Sequence, residues 1–303
     1  VCHLRTGHHL QQGRIRRLLV DDALIDERPE AEAQQILAEF IGYCFTQGIK
    51  AEKMLVLYGS GSNGKSVVLD VVEALFGRKN VSNVSLADLT INDEKRCAIE
   101  YKLVNISHES DKEIDAATMK LMVSGEPIDC RQLYFGTHTM YRYAKFITSF
   151  NILPRAESTH GFYRRFIIMP FNVTISEKEA DVDLAKKIIK AELPGILNWV
   201  LESMKGFLRT RTFTRSEMCT KALERYKLQS DSVRLFMSEM CEVDSVMLTP
   251  GPELYNAYKR YCMADQIRPV GKQKFYERAK ALGYTCTEIR NKTSFYVRII
   301  DNG

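Results

Sequence analysis

The chain has 303 residues, 45% of them hydrophobic and 27% charged, with a formal net charge of +5 at pH 7. This length predicts about two domains with a substantial core, and no apolar run approaches the ~20 residues that cross a bilayer, which excludes a helical membrane protein. Eight cysteines, at positions 2, 44, 97, 130, 219, 241, 262 and 286, form no CxxC pair, which excludes a disulfide framework and predicts free thiols in a reducing, cytoplasmic compartment.

Residues 1–30 show weak periodicity around a basic knot at Arg14, Arg16 and Arg17. Cys2, His3, His8 and His9 could make a metal site on paper, although His-rich chain ends are more often solvated. The chain opens on Val without a signal peptide, so a fragment of a longer protein is expected. From Ala31, the set Ile36, Leu37, Phe40, Ile41 and Cys44 keeps helical spacing and predicts a packing helix that stops near Gly48.

Met54 to Tyr58 then reads as a buried strand and Ser66 to Phe76 as a helix, with Gly59-Ser60-Gly61-Ser62-Asn63-Gly64-Lys65-Ser66 between them. This stretch fits GxxxxGK[ST], in which small residues let successive backbone N–H groups curl round an anion at a helix N-terminus. The predicted ligand is ATP, with Lys65 on the β and γ phosphates and the Ser66 hydroxyl completing a Mg²⁺ shell.

A charged segment (85–101) follows, and Leu103 to Ile106, Ala144 to Phe150 and Phe166 to Phe171 read as three more strands. Strands alternating with helices predict an α/β layer with a mainly parallel sheet. Glu109 stands just past a strand end, where a carboxylate meets Mg²⁺ and the attacking water; a solvated loop acid or a helix cap is the plain alternative, and Asp111 and Glu113 are close by. Asn151 ends another strand and offers a carboxamide to the attacking water or the γ phosphate, unless it only forms a turn. Arg164 and Arg165 precede the last strand, where a guanidinium suits a transition-state phosphate; many such doublets are simply surface arginines. Asp181 to Phe207 is helical in pattern with an expected interruption at Pro194-Gly195.

The net charge is unevenly placed. Residues 251–303 hold ten Lys/Arg and five Asp/Glu, so the whole excess of +5 lies in this tail. A basic tail on a neutral body points to a nucleic-acid contact.

The order of GxxxxGKS at 59–66, an acid-ended strand at Glu109, Lys120 to Arg131, Lys145 to Asn151 with Pro154, and Arg165 before Pro170-Phe171 resembles superfamily 3 helicases, closest to the C-terminal part of phage and plasmid primase-helicases, which are similar to the poxvirus primase-helicase. The resemblance covers roughly residues 30–303. It implies an AAA+-like ATPase over 51–210, after an N-terminal segment (1–50), assembled as a hexameric ring on single-stranded and forked DNA, with a primase domain or protein as a further partner. It also implies Lys65 and Ser66 as phosphate and Mg²⁺ groups, Glu109 as the acidic motif, Asn151 as the sensor, and Arg165 as a finger supplied to a neighbouring subunit. Many relatives carry two adjacent acids where this chain has His108-Glu109.

By the same resemblance, the interval Arg131–Arg142 is a hairpin pointing into the ring channel. Arg131, Tyr134, Phe135, His138 and Arg142 there suit phosphate contacts and base stacking, although a packed hairpin explains the aromatics nearly as well. After a helical linker (211–229), the tail from Ser230 gives two amphipathic helices and a strand pair turning at Asn291-Lys292, a winged-helix order. Lys272, Lys274, Arg278 and Lys280 would lie on or near its recognition helix and Lys292 at the wing tip, or on a merely solvated charged face. The reading is an ATP-driven DNA helicase of a phage, plasmid or similar element. A nucleotide-switched DNA-binding initiator and a small-molecule P-loop kinase remain the rivals.

Overall fold

The computed structural model describes residues 31–109, 114–153, 160–176, 178–264, 269–289 and 292–300. The expectations for Cys2, His3, His8, His9 and the arginines near the start, for Asp111 and Glu113, and for Pro154 fall outside these residues. The chain divides into two compact units, the first ending at Glu224 and the second beginning at Arg225.

In the first unit, helix α1 (Ala31–Cys44) precedes strand β1 (Met54–Tyr58), and helix α2 (Lys65–Phe76) follows the glycine-rich loop. Strand β2 (Val81–Ser82) leads into two short helices, α3 (Leu86–Ile91) and α4 (Asp93–Arg96), within the charged segment. Strand β3 (Val104–His108), helix α5 (Ala116–Val123), hairpin strands β4 (Ile128–Gln132) and β5 (Gly136–Met140), strand β6 (Lys145–Phe150), helix α6 (His160–Tyr163) and strand β7 (Phe166–Pro170) complete the α/β body. Helix α7 (Leu184–Thr210) closes it, and the division between the units falls within helix α8 (Glu217–Ser230).

Five strands form one parallel sheet in the order β2-β3-β6-β1-β7. β1 and β6 are buried along nearly their whole length, as strands covered on both faces must be, and this explains their unbroken apolar runs. Register fixes where the strand ends meet. Tyr58 pairs with Phe150 on one side and Pro170 on the other, while Ser149 pairs with His108. The residues just past β1, β6 and β3 therefore emerge side by side.

α1 contributes Ile36, Leu37, Phe40 and Ile41 to a core shared with α2, α7 and the sheet. Its single buried acid, Glu39, accepts hydrogen bonds from Gln35 Nε2 (3.0 Å), the Thr214 backbone N–H (2.8 Å) and the Thr214 hydroxyl (2.8 Å). The helix ends at Cys44, short of Gly48.

The expected interruption at Pro194 does not occur, and α7 runs through it for 27 residues. Ile188, Glu192, Ile196, Val200, Ser203 and Phe207 are buried along one stripe on both sides of the proline. Packing of that stripe outweighs the single backbone hydrogen bond that proline removes.

The second unit runs through helix α9 (Ser232–Met240), strands β8 (Cys241–Val243) and β9 (Thr249–Pro250), helices α10 (Gly251–Ala264) and α11 (Lys272–Ala281), and strands β10 (Cys286–Ile289), β11 (Lys292–Phe295) and β12 (Val297–Ile299). β10, β11 and β9 make an antiparallel sheet, whereas β12 pairs with β8. The tail thus carries five short strands where one strand pair was expected. Phe236, Tyr258, Phe275 and Phe295 fill its own core. Among the described residues, no helix is long and apolar enough to cross a membrane, and the described cysteines are free thiols.

Candidate nucleotide site

The loop after β1 is built around a close approach. A Cβ at Gly59 would come within 2.3 Å of both the Phe171 carbonyl oxygen and the Asn63 side-chain nitrogen, so only glycine fits. Asn63 Nδ2 donates to that same carbonyl (3.0 Å), and the Ile175 N–H donates to Ser62 O (2.7 Å). The segment after β7 therefore clasps the loop from outside.

Gly64, the residue before α2, is in the left-handed region (φ 82°), and no side chain caps the helix. Its first N–H groups are orphans of the helix and face the loop, an arrangement that attracts an anion. Lys65 is buried and its Nζ donates to Gly59 O (2.6 Å) and Asn63 Oδ1 (2.9 Å). Burial pulls its pKa below the ordinary lysine value.

Glu109 follows β3 with its N–H on Ser149 O (2.9 Å). Its Oε1 accepts from the Leu86 N–H (2.8 Å), the Ser107 hydroxyl (2.7 Å) and the Thr148 hydroxyl (3.4 Å). Leu86 is the first residue of α3, so Glu109 is a helix cap as well as a strand-end acid. These bonds fix one carboxylate oxygen and so orient the group.

An open cleft of about 340 Å³ is lined by Gly61 through Val67, His108, Glu109, Ser149 and Asn151. The glycine-rich loop, the acid and the amide thus come together as the level strand ends dictate. Ser60, exposed beside the cleft, completes the loop. Sequence reasoning did not assign His108 or Ser149 to the site. The His108 Nδ1 and the Ser149 hydroxyl are 2.8 Å apart; the missing second acid at 108 was the only signal for either.

Arg165 lies elsewhere. Its carbonyl accepts from the N–H of Met54, the first residue of β1, so it sits at the amino end of the sheet. A five-residue strand spans roughly 17 Å, so the length of β1 separates Arg165 from the glycine-rich loop of its own chain. Its guanidinium donates to the Ser124 hydroxyl from Nη2 (2.7 Å) and Nε (3.1 Å), and to Gly161 O from Nη1. Arg164 pairs instead with Glu52 (2.7 Å).

The interval 131–142 is a hairpin whose β4 strand begins earlier, at Ile128. At its tip Tyr134 and Phe135 are 96% and 83% exposed. Arg131 is 3.8 Å from Glu94, His138 is drawn to Glu100 (2.9 Å), and Arg142 is exposed with its carbonyl accepting from Tyr101 N. In the second unit, Lys272, Lys274 and Lys280 are exposed on α11. Arg278 is turned inward to Asp231 (3.6 Å), because Asp231 caps α9 and holds its charge partner there. Lys292 opens β11, and its side chain lies outside the described residues.

Residues 57–165 match a family of unknown function (DUF5906). Residues 228–301 match the Poxvirus D5 protein-like family. Among solved structures, the A form apo structure of the NrS-1 C-terminal region is similar with a TM-score of 0.55, at 11% identity over 96% of this chain and 76% of that one. A second apo structure of that region gives 0.54 at 12% identity, again over 96% and 76%. At such identities the likeness shows a shared fold.

Proposed function

We propose that this chain, related to superfamily 3 helicases through its poxvirus D5-like tail and its motif order, is an ATP-driven motor that moves along single-stranded DNA and separates duplex in replication of a phage, plasmid or other mobile element. The observation that carries this reading is the convergence of Lys65, Glu109 and Asn151 on one cleft at the level ends of β1, β3 and β6.

Lys65 leaves Gly59 O and Asn63 Oδ1 to meet the β and γ phosphates, while the orphan N–H groups of α2 hold the phosphate chain. Glu109, fixed through Oε1 by three donors, takes a proton from the attacking water, and the Asn151 carboxamide orients that water. Ser66 and Glu109 are hard oxygen donors that suit Mg²⁺, which supplies neutralisation of phosphate charge when bound. Arg165 reaches the nucleotide of an adjacent subunit in a hexameric AAA+-type ring. The Tyr134-Phe135 tip stacks on bases, and the second unit grips duplex as a winged helix through Lys272, Lys274 and Lys280.

The deciding experiment measures forked-duplex unwinding and DNA-stimulated ATP hydrolysis side by side, with Lys65→Ala as control. Strand separation that requires ATP supports the motor. DNA binding that responds to nucleotide without strand separation assigns the initiator reading instead, and hydrolysis indifferent to DNA returns the kinase.

A further inference from the structure

Cys130 and His138 are directly opposite in the β4–β5 pairing, so their side chains share one face of the hairpin. Their separation in sequence, eight residues across a turn, resembles no familiar metal spacing. In space, however, Cys130 Sγ is 3.4 Å from His138 Nε2, which is 2.9 Å from Glu100 Oε2. The three ligand atoms all lie within 4.8 Å of one another. Glu100 is brought there by its bridge to Tyr143, just beyond the hairpin. Cys97 precedes Glu100 by three residues, and its Sγ lies 3.9 Å from Asp93 O.

We propose that Cys130, His138 and Glu100 hold a zinc-class divalent ion at the base of the hairpin, with Cys97 turning in as the fourth ligand. Bond lengths of about 2.3 Å to sulfur and about 2.0–2.1 Å to nitrogen at a tetrahedral angle separate the two donors by about 3.5 Å. The observed 3.4 Å needs no rearrangement. The carboxylate, now at hydrogen-bond distance from the imidazole, moves back by about half an ångström to reach the same spacing. Thiolate, imidazole and carboxylate together select zinc over magnesium or calcium, which prefer all-oxygen shells.

Charge also balances. Two thiolates and one carboxylate exceed the ion by one negative charge, and the Arg96 guanidinium is held by Leu89 O (3.0 Å) and by the carbonyl of Asp129, the residue before Cys130 (2.6 Å). The ion ties the hairpin to residues 97–100 and so fixes the direction in which the exposed tip points. This role holds whatever the tip contacts, and it is independent of ATP chemistry.

The test is Co²⁺ titration of the full chain, demetallated and kept reduced, followed by its thiolate charge-transfer band, together with metal analysis of the protein as purified. One equivalent bound with a tetrahedral cobalt spectrum is expected. Cys130→Ser should abolish the thiolate band or reduce it strongly, Cys97→Ser should roughly halve it, and His138→Ala should weaken binding at least about tenfold. His138 is partly exposed, so its variant keeps the test valid if Cys130→Ser fails to fold. No bound metal in the reduced protein overturns the proposal. Binding that survives both Cys130→Ser and His138→Ala also overturns it, because the ion then sits among other ligands. A band unchanged in Cys97→Ser removes the fourth ligand.

Discussion

At the carboxyl ends of β1, β6 and β3, the backbone presents unpaired helix N–H groups, and the side chains there hold one another in place. At the amino ends of the same strands the cations are consumed by oxygen atoms. Lys145 donates to Thr46 O (2.6 Å) and lies 4.4 Å from the centre of the Tyr43 ring, and Arg165 is shared between Ser124 and Gly161. Burial lowers the pKa of Lys145 and Arg165, as it does that of Lys65. Desolvation is thus common to both ends, and what distinguishes them is the direction of the strands. A parallel sheet collects the loops that lead into helix N-termini on one edge only, and an anion site belongs on that edge.

The comparison breaks most sharply at Arg165. If it serves a neighbour's nucleotide, Arg165→Ala lowers hydrolysis by about 10³ to 10⁵ while nucleotide still binds. Mixing that variant with Lys65→Ala should then restore part of the rate, read as phosphate release, because some interfaces pair an intact loop with an intact finger. A fall in thermal stability with no recovery on mixing would make Arg165 a strut between Ser124 and Gly161.

Next in size is Glu109→Gln. The amide oxygen can still accept from Leu86, Ser107 and Thr148, so the fold should hold while single-turnover hydrolysis drops by about 10² to 10⁴. Unchanged turnover would leave Glu109 as a helix cap alone.

Lys65→Ala should cost about 10² to 10³ in hydrolysis, the range for removing one donor from a developing charge. The lysine also gives a pH signature. Its folded pKa lies below the ordinary 10.5, so rising pH neutralises it early. Phosphate affinity, measured by nucleotide titration, should therefore fall before pH 10.5 is reached, and the slope should vanish in the variant.

The smallest effect concerns the second unit. Replacing Lys272, Lys274 and Lys280 with Ala removes exposed charges and one long contact of Lys272 over the Tyr276 ring (5.8 Å), so the unit should stay folded. Each lost phosphate contact should flatten the plot of log affinity against log salt by about 0.9 on duplex DNA. An unchanged slope would leave α11 as a solvated face.

The parts of this architecture that were legible in the sequence are those with local causes. Strands buried on both faces must be apolar throughout, so β1, β6 and β7 could be read directly, and the glycine loop carries its own spacing. The position of Glu109 past a strand end was equally plain. Its three hydrogen-bond donors were not, because Leu86 and Thr148 are distant in the chain and become neighbours only through the strand order. Two-residue strands such as β2 and β9 are too short to show any period. At Pro194 a correct local rule gave the wrong answer, since the buried stripe of α7 continues across it. Arg278 was grouped with the exposed lysines of its helix, yet which way it turns was decided by Asp231 on another element.

The crowding around Gly59 also bears on how this loop tolerates change. Substitution there collides with a backbone carbonyl, which cannot swing aside as a side-chain tip would, whereas Gly61 has open space around it and is constrained only by its φ of +113°. The first position forbids a methyl group outright. The second charges roughly 1–3 kcal/mol for an unfavourable backbone conformation, a cost that a stable body can absorb. In a library of random variants selected for folding alone, alanine should therefore be depleted at 59 and persist at 61, although both positions look alike as glycines of one motif.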